Sequence, residues 1–311
     1  MQKSAVLVRA PELIQYRRSR TALLRRRLVP WLFVAPILAL NLLVVLGPAM
    51  SAFYYSLTQW NGIGKPTFIG LDNFHRLFVD DPSFWQAFQH NLAWLAMFLT
   101  VPMAMALIAA SLLAPIRRGA IAFRMSLFIP YVLPAVVTAN VWSALLHPDR
   151  GIGAQLAKVG VHGFDKAFLG DPHTVLPAIA FVDNWSFWGF LMVLFLAAIQ
   201  NVPPDLYEAA RLDGASRWEE FRDVTLPGIR PTLVFMIMIV TVWSFLTFNY
   251  IYILTQGGPA GASEVLATLV VKAAFRNFEA GYAAAIGLSM SALVGVVITI
   301  FLTLRRRGWE I

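Results

Sequence analysis

Six long apolar runs alternate with polar segments along the chain, at roughly 29–56, 91–114, 121–146, 175–200, 231–255 and 281–304. A helix needs about 20 mostly apolar residues to cross a bilayer, and each run meets that length. Strands of a membrane barrel would be about 9–11 residues long with alternating polarity. The pattern therefore predicts an all-α integral membrane protein with six transmembrane helices. Pro130 and Pro134 sit four apart in the third run. Each removes a backbone donor, so a kink is predicted there, and a bent helix leaves room for a pathway.

The polar segment 205–231, DLYEAARLDGASRWEEFRDVTLPGIRP, stands between two strongly apolar runs. It spells two short helices. Asp205 and Glu208 have capping-box spacing, and Ser216 and Glu219 repeat it. Pro203 and Pro204 stop any preceding helix from running in. Gly214 suits the left-handed turn that ends a helix, and Pro227 is expected to end the second. Trp218, Phe221 and Val224 recur every third residue and give the second helix one apolar stripe. A folded polar helix pair between membrane spans suits a soluble partner, and Trp218 and Phe221 are interface-anchor residue types.

Composition narrows the classes. The 311 residues are 58% hydrophobic and only 14% charged, against about 45–50% and ~25% in average usage. With no cysteine, there is no disulfide framework, thiolate nucleophile or Cys-based metal site. His75, His90, His147, His162 and His173 are too scattered for a metal site and read as solvated loop residues. The net charge is +8. Of the 25 Lys and Arg, 18 fall in segments 1–28, 115–124, 201–230 and 305–311. The positive-inside rule places those segments in the cytoplasm, with both termini inside. Basic charge that flanks spans is explained by the membrane, so nucleic acid is not an expected partner. The expected organisation is a basic tail over 1–28, a permeation domain over 29–305 that includes the loop 201–230, and a short cytoplasmic tail over 306–311. The apolar run after the basic tail is too long for a signal peptide and lacks a clear cleavage site, so it reads as a retained span.

Inside the spans, polar and aromatic residues mark candidates for solute contact. The fourth run holds Asp183, Asn184, Trp185 and Trp188; the fifth ends in Phe248, Asn249, Tyr250 and Tyr252. A carboxylate inside a span costs about 2.5–3.5 kcal/mol on insertion scales and usually faces a cavity or a partner. Trp185 and Trp188 lie three apart, and with Asp183 nearby this face is expected to line a route.

The 205–231 segment resembles the signature loop of permease subunits in binding-protein-dependent ATP-binding-cassette importers. The matching residues are Glu208-Ala209-Ala210, Gly214 and Leu226-Pro227, and the wider string with Pro204, Tyr207, Asp213-Gly214-Ala215 and Thr225 is similar to the carbohydrate-uptake branch. Tyr54-Tyr55-Ser56-Leu57, Ile69-Gly70-Leu71-Asp72-Asn73-Phe74, Phe128-Ile129-Pro130 and Asn249 to Pro259 agree with it. The resemblance implies a subunit of the bacterial or archaeal cytoplasmic (inner) membrane. Its implied partners are a second, related but non-identical permease, two ATPase subunits and an extracytoplasmic solute-binding protein. ATPase coupling would then rest on Glu208, Ala209, Ala210, Asp213, Gly214, Trp218, Phe221, Leu226 and Pro227. No G-x-x-x-x-G-K-[ST] loop is present, so this chain is expected to bind no cofactor, with ATP and Mg on the ATPases. The implied solute is a carbohydrate, polyol or glycerol-phosphate compound. The alternative is a self-sufficient secondary transporter, which would need coupling-ion acids in the membrane; only Asp183 lies well inside a span. A membrane enzyme would need a nucleophile–base set that the spans do not supply.

Overall fold

The computed structural model describes residues 20–116 and 118–306. Most of the tails expected at 1–28 and 306–311 lies outside them. The chain divides into two units, Met1–Ser51 and Ala52–Ile311. The first holds helix Arg20–Asn41, a π-helical turn Leu42–Leu46 and the start of helix Gly47–Ser56.

Five helices are each long and apolar enough to cross a membrane: Pro30–Ser56, Pro82–Leu113, Val175–Gln200, Arg230–Leu254 and Ala280–Leu304. A bent pair, Ala120–Val132 and Ala135–Leu145, makes a sixth span with a 93° turn. The pair Pro130 and Pro134 therefore does more than kink the third span. Leu133 and Pro134 are extended, as a residue before proline prefers, and the chain restarts as a helix at nearly a right angle.

The second span begins nine residues earlier than its apolar run. The Asp81 side chain accepts from the Ser83 amide at 2.8 Å, and Pro82 occupies the first turn, where its missing donor is harmless. His90 thus lies within a helix. Its Nδ1 meets the Glu264 carbonyl at 2.7 Å, so it is a packing residue and not the solvated loop histidine expected from its position.

The second and fourth spans lie side by side and bury Trp94, Phe98, Ala106 and Ala110 with Leu191, Met192 and Phe195. The fourth span is apolar all round and is buried on most sides, as such a helix must be. Gly189 sets its crossing with the third span: a Cβ there would lie 2.0 Å from the Leu127 carbonyl oxygen. A short antiparallel hairpin, Thr58–Gln59 with Thr67–Phe68, follows the first span. Asn73 fastens it by donating to Ser56 and Thr58 carbonyls at 2.8 and 2.9 Å. The hairpin abuts the start of the sixth span, where the Gly281 amide donates to the Trp60 carbonyl at 3.0 Å.

The fifth span is helical over Arg230–Phe245, breaks over 246–248 and resumes as Asn249–Leu254. A break in a span must have its backbone groups satisfied by the protein itself. Asn91, fully buried, does this from the second span. Its amide donates to the Ser244 carbonyl at 2.8 Å, and its carbonyl accepts from the Leu266 amide at 3.0 Å.

Asn91→Leu leaves both groups without a partner and should cost about 1–4 kcal/mol. Thermal unfolding of the detergent-purified chain reads this as a clear fall in midpoint. Asn140→Leu, which removes only an exposed bond to the Val136 carbonyl of its own helix, should leave the midpoint nearly unchanged.

Candidate functional site

The polar segment folds as two helices that leave and re-enter the spans. The first is Pro204–Leu212. Pro203 precedes it and makes no side-chain cap, with Pro204 in the first turn. The Asp205–Glu208 capping box is therefore not formed: Asp205 is already inside the helix, because proline is preorganised for a first turn. The helix ends as expected at Gly214, with φ +83° and its amide on the Arg211 carbonyl. The second capping box is complete, with the Glu219 carboxylate on the Ser216 amide at 2.6 Å and the Glu219 amide on the Ser216 hydroxyl at 3.4 Å.

The second helix does not stop at Pro227. Arg217–Glu219 widens into a π-helical stretch Glu220–Thr225 and closes as Leu226–Gly228. The helix is continuous up to Pro227, with the Leu226 amide on the Phe221 carbonyl, and ends one residue beyond it at Gly228. Two contacts tie the helices across the turn. Arg211 holds both oxygens of Glu220 at 2.8 and 3.2 Å, and the Tyr207 hydroxyl meets the Thr225 hydroxyl at 3.1 Å. The guanidinium holds the Glu220 carboxyl below the usual carboxylate range.

The pair presents apolar surface outward. Leu212 is 88% and Trp218 65% exposed, and Glu208, Ala209 and Asp213 are exposed beside them. Trp218 stacks on Phe221 at 5.5 Å. Phe221 itself turns inward with Ala114 and Ile199 around a small cavity, so Trp218 is the exposed member of the stripe. Ala210 and Leu226 are half-buried, and Val224 packs on the core.

A second feature lies within the spans. The break at 246–248 opens a cavity of about 240 Å³ lined by Asp183, Phe248, Asn249 and Tyr250, together with Trp94, Phe187, Trp243 and Thr247. Among the described residues no protein group hydrogen-bonds the Asp183 carboxylate. Tyr250 is held by the Ser186 hydroxyl at 3.1 Å. Trp94, Phe98, Phe187 and Trp243 form a continuous ring-on-ring wall, with centroids 5.1–5.7 Å apart. Among the described residues no cluster of His, Asp or Glu could hold a metal.

The sequence over residues 103–309 matches the family described as binding-protein-dependent transport system inner membrane component. The chain belongs to this family. This permease is 35% identical over 284 residues to the probable ABC transporter permease protein YurN of Bacillus subtilis, covering 90% of this chain and 95% of that one. It is 34% identical to the diacetylchitobiose uptake system permease protein NgcF of Streptomyces coelicolor, covering 89% and 82%. The lactose transport system permease protein LacF of Rhizobium radiobacter is 31% identical, with 86% and 90% covered. The fold matches a chain from the crystal structure of a bacterial ABC transporter involved in alginate import. The TM-score is 0.82 at 23% identity, over 94% of this chain and 100% of that one.

The permease's cavity corrects one expected face. At about 100° per residue, Trp185 stands roughly 200° from Asp183, and the residue one turn on is Phe187. Trp185 instead meets Trp142 edge-on at 5.7 Å. Trp188 packs against the core, and the Asn184 amide points to the Met105 sulfur at 3.7 Å. Tyr252 stacks behind Phe248 at 4.9 Å and does not line the cavity. Phe187 was legible from helical spacing. Trp94 was not, because nothing in sequence places the second span beside the fifth.

Ser216 sets the second helix's start, so Ser216→Ala should speed hydrogen exchange at Glu219 by about 2- to 30-fold, the size of a lost cap. The Ser216 amide, then its hydroxyl, holds the Glu219 carboxyl below its usual range. A group with a depressed folded pKa contributes above its unfolded value and loses that contribution as pH falls through the folded one. The protection factor at Glu219, which divides out the base-catalysed intrinsic rate, should therefore hold at neutral pH and fall only below the ordinary carboxylate range.

Proposed function

We propose that this permease is the transmembrane subunit of an ATP-driven importer that carries a neutral saccharide or closely related polyol inward across the cytoplasmic membrane. The observation that carries this reading is the two-helix loop, cross-linked by Arg211–Glu220 and Tyr207–Thr225 yet offering Leu212, Trp218 and Glu208 to a partner. It has the form of a docking lever. An ATPase subunit seated on it would shift the spans between inward- and outward-facing states only if it binds the two states with different affinity. Glu208 supplies a carboxylate for a basic residue of that ATPase, and Trp218 and Leu212 supply apolar anchors. ATP and Mg belong to the ATPase subunits, a second permease completes the pathway, and an extracytoplasmic binding protein delivers the solute. The charge asymmetry of the loops supports an orientation with both termini and the two-helix loop in the cytoplasm.

Support for the solute class comes from two directions. Relatives carry names for uptake of diacetylchitobiose, lactose, and trehalose or maltose. The intramembrane cavity joins ring faces to Asp183 and Asn249, which is chemistry that holds hydroxyl-rich rings. Its volume falls below the ~300–1,000 Å³ usual for small-molecule sites. Passage then requires a wider state, as alternation between two states demands.

The test is co-purification in mild detergent. The wild-type chain should bring down an ATPase bearing a phosphate-binding loop, together with a second six-span protein. Glu208→Lys and Gly214→Pro should leave the permease inserted while reducing ATPase recovery about tenfold or more, as when an interface hot spot is lost. Undiminished recovery with both variants, or recovery of the permease alone, would overturn the reading.

A further inference from the structure

The end of the spans that carries the hairpin holds another cavity, open and of about 370 Å³. That is within the roughly 300–1,000 Å³ of small-molecule sites. The hairpin builds one wall. Trp60 stacks on Tyr55 with ring centroids 4.1 Å apart and planes 18° apart, and its Nε1 donates to the Gly64 carbonyl at 3.2 Å. Gln59 and Asn61 flank it and are exposed, and Asp72 lies on the same rim.

Phe278 also lines the cavity and stands at φ +56°. That is a left-handed conformation in which glycine is at ease and a phenylalanine is strained. The neighbouring backbone enforces it. The Asn277 amide donates to the Lys272 carbonyl at 3.0 Å, and the Glu279 amide to the Ala273 carbonyl at 2.9 Å. Arg76 then grips both oxygens of Glu279, at 2.7 and 3.0 Å. What the strain delivers is a phenyl ring that is 61% exposed at the cavity mouth. A strained residue that leaves its own ring in solvent gains little within the chain, and such outliers point to function.

We propose that this cavity is a second saccharide site, distinct from the one between the spans, that takes a neutral oligosaccharide on the face the hairpin presents. Trp60 and Phe278 supply apolar ring faces. Gln59, Asn61 and Asp72 supply planar hydrogen-bonding groups of both polarities. Charge selects against the alternatives. Glu279 neutralises Arg76 and Asp72 remains, so the cavity carries a net negative charge that disfavours an anionic lipid headgroup or an acidic sugar. Its polar rim differs from the dry apolar pocket that seats a protein anchor. The inference rests on the carbohydrate reading above, whose orientation turns this face outward, where solute arrives.

The experiment uses the permease with its co-purifying subunits in lipid nanodiscs. Saturation-transfer NMR with maltose, lactose, trehalose and N,N′-diacetylchitobiose reads binding. At least one sugar should receive transfer from the aromatic protons, and Asn140→Leu, at a residue that lines neither cavity, should retain it. Asn61→Ala and Phe278→Gly should each reduce it by roughly three- to tenfold. Phe278→Gly should also melt no lower than wild type, because glycine relieves the strained backbone. A lower melting point would make Phe278 a structural residue and overturn the proposal. So would transfer to none of the four sugars, or transfer unchanged in both variants. Transfer lost in Asp183→Asn alone would move the sugar to the intramembrane cavity, overturning this site while leaving the transport reading intact. Failure of ATPase co-purification would sink the transport reading and leave the hairpin-site measurement standing by itself.

Discussion

Every backbone amide and carbonyl at membrane depth must find its partner within the protein, because the hydrocarbon offers none. An unbroken helix meets that demand with its own bonds and has no reason to form a cavity. This chain breaks its fifth span over 246–248, and Asn91 makes the break tolerable. One side chain serves the Ser244 carbonyl before the break and the Leu266 amide beyond the span. Beside it, His90 meets Glu264, whose carboxylate pairs with Lys272 at 3.1 Å. The helix that would have closed the space therefore opens it, and Thr247, Phe248, Asn249 and Tyr250 face a cavity that also receives Asp183.

The second break follows a different logic. Pro130 and Pro134 cannot donate, and Leu133, lying before proline, is extended. The third span turns by 93°; its first half packs along the fourth span and its second half mainly against Asn249–Leu254. Gly189 lets the first half approach to backbone contact. The most buried of the described spans is thus clamped at the centre, while the polar two-helix loop emerges from its far end at Asn201. A force applied to that loop acts on the helix that carries Asp183.

Much of this was legible in order along the chain. Apolar run length predicts the six spans, and five of the six agree with the structure to within a residue. Gly214 and the Ser216–Glu219 box follow from local chemistry that tertiary context leaves alone. The misses have common causes. Asp205 was displaced from its capping role by a proline one residue earlier, a competition between two valid start signals. Pro227 reads as a stop, and the helix runs one residue past it to Gly228. Trp185 and Trp188 were grouped with Asp183 by proximity in sequence, and helical phase puts them on another face. The partners Trp94 and Asn91 come from a span far away in sequence, and no periodicity within one helix reveals a neighbour in another.

The central claim is that the two-helix loop is the seat of an ATPase. The chain contains no cysteine, so one introduced at Leu212, the most exposed apolar position of the loop, is a unique reporter. Cross-linking that thiol in native membranes with a short thiol-to-amine reagent and identifying the adduct tests the claim directly. The account predicts a single major adduct with a subunit bearing a phosphate-binding loop, and none from a cysteine placed at Ile63 in the hairpin. An adduct with that subunit from Ile63 and not from Leu212, or no adduct from Leu212 in membranes where uptake is active, would contradict it.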